Sequence, residues 1–320
     1  MSPTKPPVVL IHGLWMTPRS WDPFRRYYAE RGYRVYAPAW PRLRGDVEDV
    51  CRDPSALAGL GLREIVDCYE RFVCSLGEPP IIIGHSTGGL IAQILLDRGV
   101  GVAGVALAPP PPKGVWQPAV PAGRVSSLAC LHPLDYWRTV PVTFEQFRST
   151  LANVMPEGEA RAAYERYSVP APGRVLFQLA LANLNPWAAS RVDFRNGGRA
   201  PLLLVAGGDD RLSPPSLVRA TRRRYAGSAA VTAYREFPHR SHLIIAQDGW
   251  REVASCVIEW AESWTTGGCP PDCSTACSHD RTAREGASAD RVTSGTQSHK
   301  LDSSVARGHF TLERLPRVGA

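Results

Sequence analysis

Residues 84–88 read Gly-His-Ser-Thr-Gly. A serine flanked at this spacing by glycines is the arrangement of an activated nucleophile, though the spacing alone is a weak signal. The flanking sequence strengthens it. Pro80, Ile81, Ile82 and Ile83 form an apolar strand before the motif, and the run GGLIAQILLDR over 88–98 reads as a helix after it. A strand-to-helix turn this sharp strains the serine backbone, and side chains at 84 and 88 would collide across it. The turn lifts the hydroxyl out of the sheet. The helix N-terminus beneath it favours developing negative charge. A serine that merely caps a helix is the competing reading, but a cap does not require glycine on both sides. Ser86 is therefore read as a nucleophile.

A serine hydroxyl needs a base, and the base needs an orienting carboxylate. On a strand–serine–helix elbow the acid and then the histidine follow later in the chain. The apolar run PLLLVA at 201–206 ends in Gly207-Gly208-Asp209-Asp210-Arg211-Leu212-Ser213-Pro214. Asp209 and Asp210 both stand where an acid belongs. The end of the preceding strand, Ala106 to Pro110, offers no carboxylate. The base is His239 or His242. Position favours His242, because an apolar run and then the last helix follow it directly. After the first strand come His12-Gly13-Leu14-Trp15. The backbone amides of Leu14 and Thr87 are the expected oxyanion donors. His12 reads as a residue that orders its loop by hydrogen bonding. Trp15 is better placed than Trp21 to touch a substrate.

These residues need a scaffold. Apolar runs at 8–12, 34–39, 80–84, 102–108, 201–206 and 230–237 read as strands. Between them, 62–76, 88–98 and 214–225 read as helices, and a last helix spans about 247–264. Such alternation predicts a mostly parallel sheet covered on both faces. The interval 110–198 breaks the rhythm. It is long, Pro-rich and aromatic, with helical pieces at 144–152 and 156–167, and reads as a lid inserted between two strands. Its aromatics Trp116, Tyr136, Trp137, Phe147, Tyr164, Phe177 and Trp187 are expected mostly to form lid core, with a substrate pocket as the alternative. One domain thus spans 1–265. Residues 266–320 lack periodicity and read as a disordered tail.

The chain has 320 residues and a net charge of +7, carried almost wholly by arginine. The arginines are scattered, with Arg222-Arg223-Arg224 the densest run, and no basic stripe interleaved with aromatics suggests nucleic acid as a partner. No secretory leader and no apolar run of spanning length is evident, so a cytoplasmic protein without a membrane partner is the expectation. Cys51, Cys68, Cys74, Cys130 and Cys256 read as reduced core cysteines. Cys269, Cys273, Cys277 and His279 are too irregularly spaced for a structural zinc site, and read as incidental.

VVLIHGLW, GHSTGG, VAGGDDRLSPP and the run from FPHRSHL to the last helix together resemble the α/β-hydrolase fold family across residues 8–264. They are similar above all to bacterial serine hydrolases of actinomycete type. The resemblance implies Asp210 rather than Asp209 as the acid, since an arginine, an apolar residue and Ser-Pro follow it. It implies no cofactor and no metal. His239 departs from the pattern, where a small residue such as glycine is expected, and the tail has no counterpart. Relatives on this fold that hydrolyse epoxides or haloalkanes need an aspartate where this chain has Ser86. The implied activity is cleavage of small-molecule carboxylic esters through an acyl-enzyme, with catalytic Ser86, Asp210 and His242. Acyl or peroxy transfer on the same residues, and a non-catalytic ligand-binding protein on this scaffold, are the rival readings. Oligomeric state is not legible.

Overall fold

The computed structural model describes residues 5–116 and 132–265. Six strands form one all-parallel sheet in the order β2-β1-β3-β4-β7-β8. They are β1 (Val8–Ile11), β2 (Val35–Tyr36), β3 (Ile81–His85), β4 (Ala103–Leu107), β7 (Leu202–Gly207) and β8 (Thr232–Phe237). The two-residue strands β5 (Thr139–Val140) and β6 (Ala171–Pro172) pair separately and antiparallel. The helices are α1 (Asp22–Ala29), α2 (Val47–Arg52), α3 (Leu62–Ser75), α4 (Thr87–Asp97), α5 (Phe144–Thr150), α6 (Glu157–Tyr167), α7 (Gly173–Ala180), α8 (Pro215–Arg224) and α9 (Trp250–Glu262).

Strand side chains alternate between the two faces of the sheet. Val9, Ile11, Ile82 and Leu204 face the core shared with α3, α4 and α8. Val8, Leu10, Ile83 and Val205 face the core shared with α1 and α9. Burial on both faces explains why these strands read as unbroken apolar runs. β1 has β2 on one side and β3 on the other. The chain therefore reverses its direction of winding at the β1/β3 boundary, the place where sheets of this kind generally bind ligands beyond the strand ends.

The expected elements are present with trimmed ends. The largest difference is at 34–39, where only Val35 and Tyr36 pair. β2 is an edge strand, and beyond it the Pro38 carbonyl accepts from Tyr69 Oη (2.7 Å) instead of continuing a ladder. The expected insertion lies between β4 and β7. Its described part carries α5, α6, α7 and the β5–β6 pair. Hydrogen bonds tie it to the loops at the sheet's carboxyl end, among them Asn153 Nδ2–H donating to the Asp209 carbonyl (2.9 Å). Trp15 Nε1–H donates to the Val140 carbonyl (3.0 Å). Val169 N–H donates to Trp15 O (3.2 Å), and Leu243 N–H to Leu151 O (2.8 Å).

Of the insertion's aromatics, Phe147 is buried, and Tyr136, Tyr164 and Phe177 are half-buried. Trp116, Trp137 and Trp187 instead face solvent, at 66%, 66% and 81% exposure. Cys51 and Cys74 are exposed and Cys68 is half-buried, so among the described cysteines only Cys256 is buried in the core. Cys130, the cysteines after 266 and His279 lie outside the described residues.

Candidate active site

Ser86 sits between β3 and α4 with φ 53° and ψ −125°, a strained conformation for a residue with a side chain. It occupies the N-cap position of α4, yet its hydroxyl makes no capping hydrogen bond. Helix capping thus does not account for it. A Cβ on Gly84 would lie 2.0 Å from Gly88 O, and one on Gly88 would lie 2.0 Å from Ile11 O. Both glycines are therefore required by backbone crossing backbone. A Cβ on Gly13 would lie 2.7 Å from Ser86 Cβ. The loop after β1 passes directly against the serine.

That loop supplies Leu14, and the start of α4 supplies Thr87. Among the described residues no backbone carbonyl accepts from the amide of either one, as expected for a tight turn and a helix's first residue. His12 does not face Ser86 as an acid–base group. Its Nε2 accepts from Trp40 N–H (3.4 Å), and its Nδ1–H donates to Gly13 O (3.0 Å). The ring stacks on Trp40 at 5.0 Å. Burial lowers its pKa to about 4, so it stays neutral. Trp15 and Trp21 are both buried. Trp15 adopts φ 57°.

Asp210 and His242 form a buried pair, 3% and 1% exposed. His242 Nδ1 stands 2.8 Å from Asp210 Oδ2. The other carboxylate oxygen, Oδ1, accepts from the amides of Leu212 (2.7 Å) and Ser213 (2.8 Å). With Oδ1 so occupied, Oδ2 accepts the hydrogen bond that Nδ1–H donates, which leaves the lone pair on Nε2. That Nε2 is buried and has no hydrogen-bond partner. Glycines let the two loops meet. A Cβ on Gly207 would lie 2.5 Å from Arg240 O, and one on Gly208 would lie 3.1 Å from Pro238 Cα.

The neighbouring candidates are not in this pair. Asp209 and His239 face each other at 3.5 Å on the surface, with side chains 46% and 90% exposed. His239 has φ 57°. This explains why a glycine is expected there: the turn needs the left-handed region, which histidine tolerates better than most residues.

Sequence reasoning did not single out two further residues. His85, fully buried, places Nε2 2.8 Å from the His242 carbonyl. Gln247 Oε1 accepts from Ser241 N–H and Oγ–H, both at 2.8 Å, while its Nε2 donates to His239 O (2.9 Å). It thereby closes the loop that carries His242. A polar residue ending a wholly apolar strand was the available sign for His85. Nothing local marked Gln247, because its partners come from a loop whose path the sequence does not show.

Among the described residues no group of three or more His, Cys, Asp and Glu side chains could hold a metal ion. A cleft of about 320 Å³ lies between α3 and α7, lined by Arg63, Glu64, Asp67, Arg71, Arg174 and Gln178, and includes none of the residues above. No helix among the described residues is long and apolar enough to cross a membrane.

No curated protein matches the chain in sequence. Solved structures do match in fold. A monoacylglycerol lipase from Paleococcus ferrophilus superposes with TM-score 0.55 at 21% identity, covering 81% of this chain and 96% of that one. A pyrethroid hydrolase from Sphingobium faniae gives 0.59 at 18% identity, covering 81% and 98%. A thermophilic esterase from Thermogutta terrifontis gives 0.58 at 18%, covering 82% and 92%. The sequence model of the alpha/beta hydrolase family matches residues 8–255. With the parallel sheet and the elbow of β3 and α4, that match identifies the chain as a member of the alpha/beta hydrolase family.

Proposed function

We propose that the protein hydrolyses carboxylic esters of small molecules through an acyl-enzyme on Ser86. The observation that carries this reading is the buried Asp210–His242 pair, whose Nε2 has no partner. A buried nitrogen with an open lone pair is costly unless something fills it. In this reading the Ser86 hydroxyl does so when substrate binds, a contact that is commonly loose in the free enzyme.

Ser86 Oγ bonds to the ester carbonyl carbon while His242 Nε2 takes its proton. The amides of Leu14 and Thr87 stabilise the oxyanion; one such donor is typically worth about 3–4 kcal/mol. The carbon–oxygen bond to the alcohol then breaks, and His242 returns the proton to the alcohol. Water, giving a proton to His242, attacks the acyl carbon; the bond to Ser86 Oγ then breaks, and His242 returns the proton to Oγ as the acid leaves. Asp210 holds the tautomer throughout. The insertion, tied to the Leu14 and His242 loops, acts as the lid that selects the acyl group. No cofactor takes part. The esterase, lipase and pyrethroid hydrolase with this fold support the ester class.

The test is turnover of p-nitrophenyl butyrate by Ser86→Ala. Turnover should fall by roughly 10⁴-fold or more, with an unchanged circular dichroism spectrum. Undiminished turnover in the folded variant would overturn the proposal.

A further inference from the structure

We infer that His85 is a positioning residue, whose ring N–H to the His242 main chain sets where the base stands relative to Ser86. This rests on the ester-hydrolase reading and adds to it a residue outside the Ser86, Asp210 and His242 set. His242 O is an acceptor, so His85 Nε2 carries the proton in the 2.8 Å bond between them. The two rings lie 5.1 Å apart. His85 is covalently next to Ser86, whose amide is itself fixed by donation to Leu107 O (2.8 Å). Nucleophile and base are thus joined by one short path: Ser86, His85, the His242 carbonyl.

The bond meets a geometric need. Asp210 fixes the His242 ring through Nδ1, but where the ring stands also depends on the backbone that carries it. The bond from His85 to the His242 carbonyl holds that backbone beside Ser86. Space-filling alone does not explain the histidine. His85 Nδ1 is buried without a partner, a cost that a leucine of similar size would avoid. The ring must also remain uncharged beside a base that becomes cationic during each turnover. Burial, with the neighbouring His242 charge next in importance, lowers the His85 pKa to about 3.

The experiment compares His85→Leu, His85→Gln and His85→Asn with Ser86→Ala. It reads kcat and KM on p-nitrophenyl butyrate and the rate of fluorophosphonate labelling, with thermal unfolding to check the fold. Leucine keeps the volume and removes the donor. Glutamine restores an N–H at similar reach, whereas asparagine is too short. His85→Leu should lower kcat and labelling about 10- to 100-fold, the usual cost of a slightly misplaced group, with KM unchanged. His85→Gln should recover most of that loss and His85→Asn should not. If His85→Leu fails to fold, the Gln–Asn contrast carries the same test. Full activity in folded His85→Leu, or equal rates for Gln and Asn, would overturn the role of His85. Labelling of Ser86→Ala at the wild-type rate would instead overturn the hydrolase reading, and the His85 role with it.

Discussion

The carboxyl end of the sheet and the segment inserted between β4 and β7 are built by different means. At the sheet's end, backbone runs against backbone. Gly13, Gly84, Gly88 and Gly207 each sit where a Cβ would overlap a neighbouring atom. The polar groups there are buried and tied to specific partners: Asp210 to two amides, His85 to a carbonyl, Gln247 to three atoms of one loop. The insertion is held more locally. α5 closes its own N-terminus with a capping box between Thr143 and Gln146. α6 carries Gly158, against which nothing packs within 4 Å of an added Cβ, whereas Gly173 at the start of α7 is pressed against the Asp135 carbonyl of the same insertion. Hydrogen bonds from Trp15, Val169, Leu243 and Asn153 fasten this region to the loops below. In the proposed reading, the chemistry sits where displacement is most restricted.

The largest effect is expected for Gly88→Ala. The new methyl group would meet the Ile11 carbonyl oxygen at 2.0 Å. The protein should lose about 4 kcal/mol or more of stability, seen as failure to accumulate folded material. A variant that melts like the wild type would show that the elbow can relax.

Asp210→Asn comes next. Asparagine cannot accept both amides at Oδ1 and the Nδ1 proton as a carboxylate does, so the tautomer of His242 is no longer held. kcat should fall roughly 10⁴-fold with the fold retained. The same change at Asp209, exposed on the surface, should leave kcat within about two-fold. Steady-state kinetics on both variants checks the pair, and equal losses would contradict the assignment.

Acid lability should also map to the sheet's end. His12 and His85 have folded pKa values lowered to about 4 and about 3, against 6.5 for an exposed histidine. Below pH 6.5 the unfolded chain therefore binds more protons than the folded one. The stability is fully present above 6.5 and is lost as pH falls toward 4. The slope should be on the order of 1.4 kcal/mol per pH unit for each histidine. Urea unfolding between pH 7 and 4.5 measures it, and His12→Asn should make the slope shallower. A pH-independent midpoint would count against neutral burial of both rings.

The smallest effect is Gly158→Ala. In α6 a methyl group meets open space, and replacing a helical glycine should raise stability by about 0.5 kcal/mol. Thermal unfolding would show it. A loss here would mean that the insertion is packed as tightly as the elbow.

Much of the site was legible in the chain because its motifs are dictated by backbone sterics. An apolar strand, a glycine, a serine and another glycine admit few conformations, so Ser86 could be read locally. That His242 rather than His239 is buried was legible from the apolar residues after it, since Leu243, Ile244 and Ile245 are all fully buried. Asp210 against Asp209 was not legible from spacing, and rested on family resemblance. Adjacent residues in a turn point in different directions, and only the path of the turn decides which one faces inward. The insertion was the least legible region. Its aromatics look alike in sequence, yet Phe147 is core while Trp187 is 81% exposed.

The sequence by itself determined the order of strands and helices, the strained serine between two glycines, and the later acidic and histidine-bearing loops. These follow from hydrophobic period and from the room a Cβ requires, both local properties. Only the tertiary structure decided that Asp210 rather than Asp209 meets His242 and that the insertion's tryptophans face outward. It alone brought His85 to the main chain of a residue 157 positions away. Those outcomes depend on how loops from distant strands approach one another, and no local pattern along the chain records that approach.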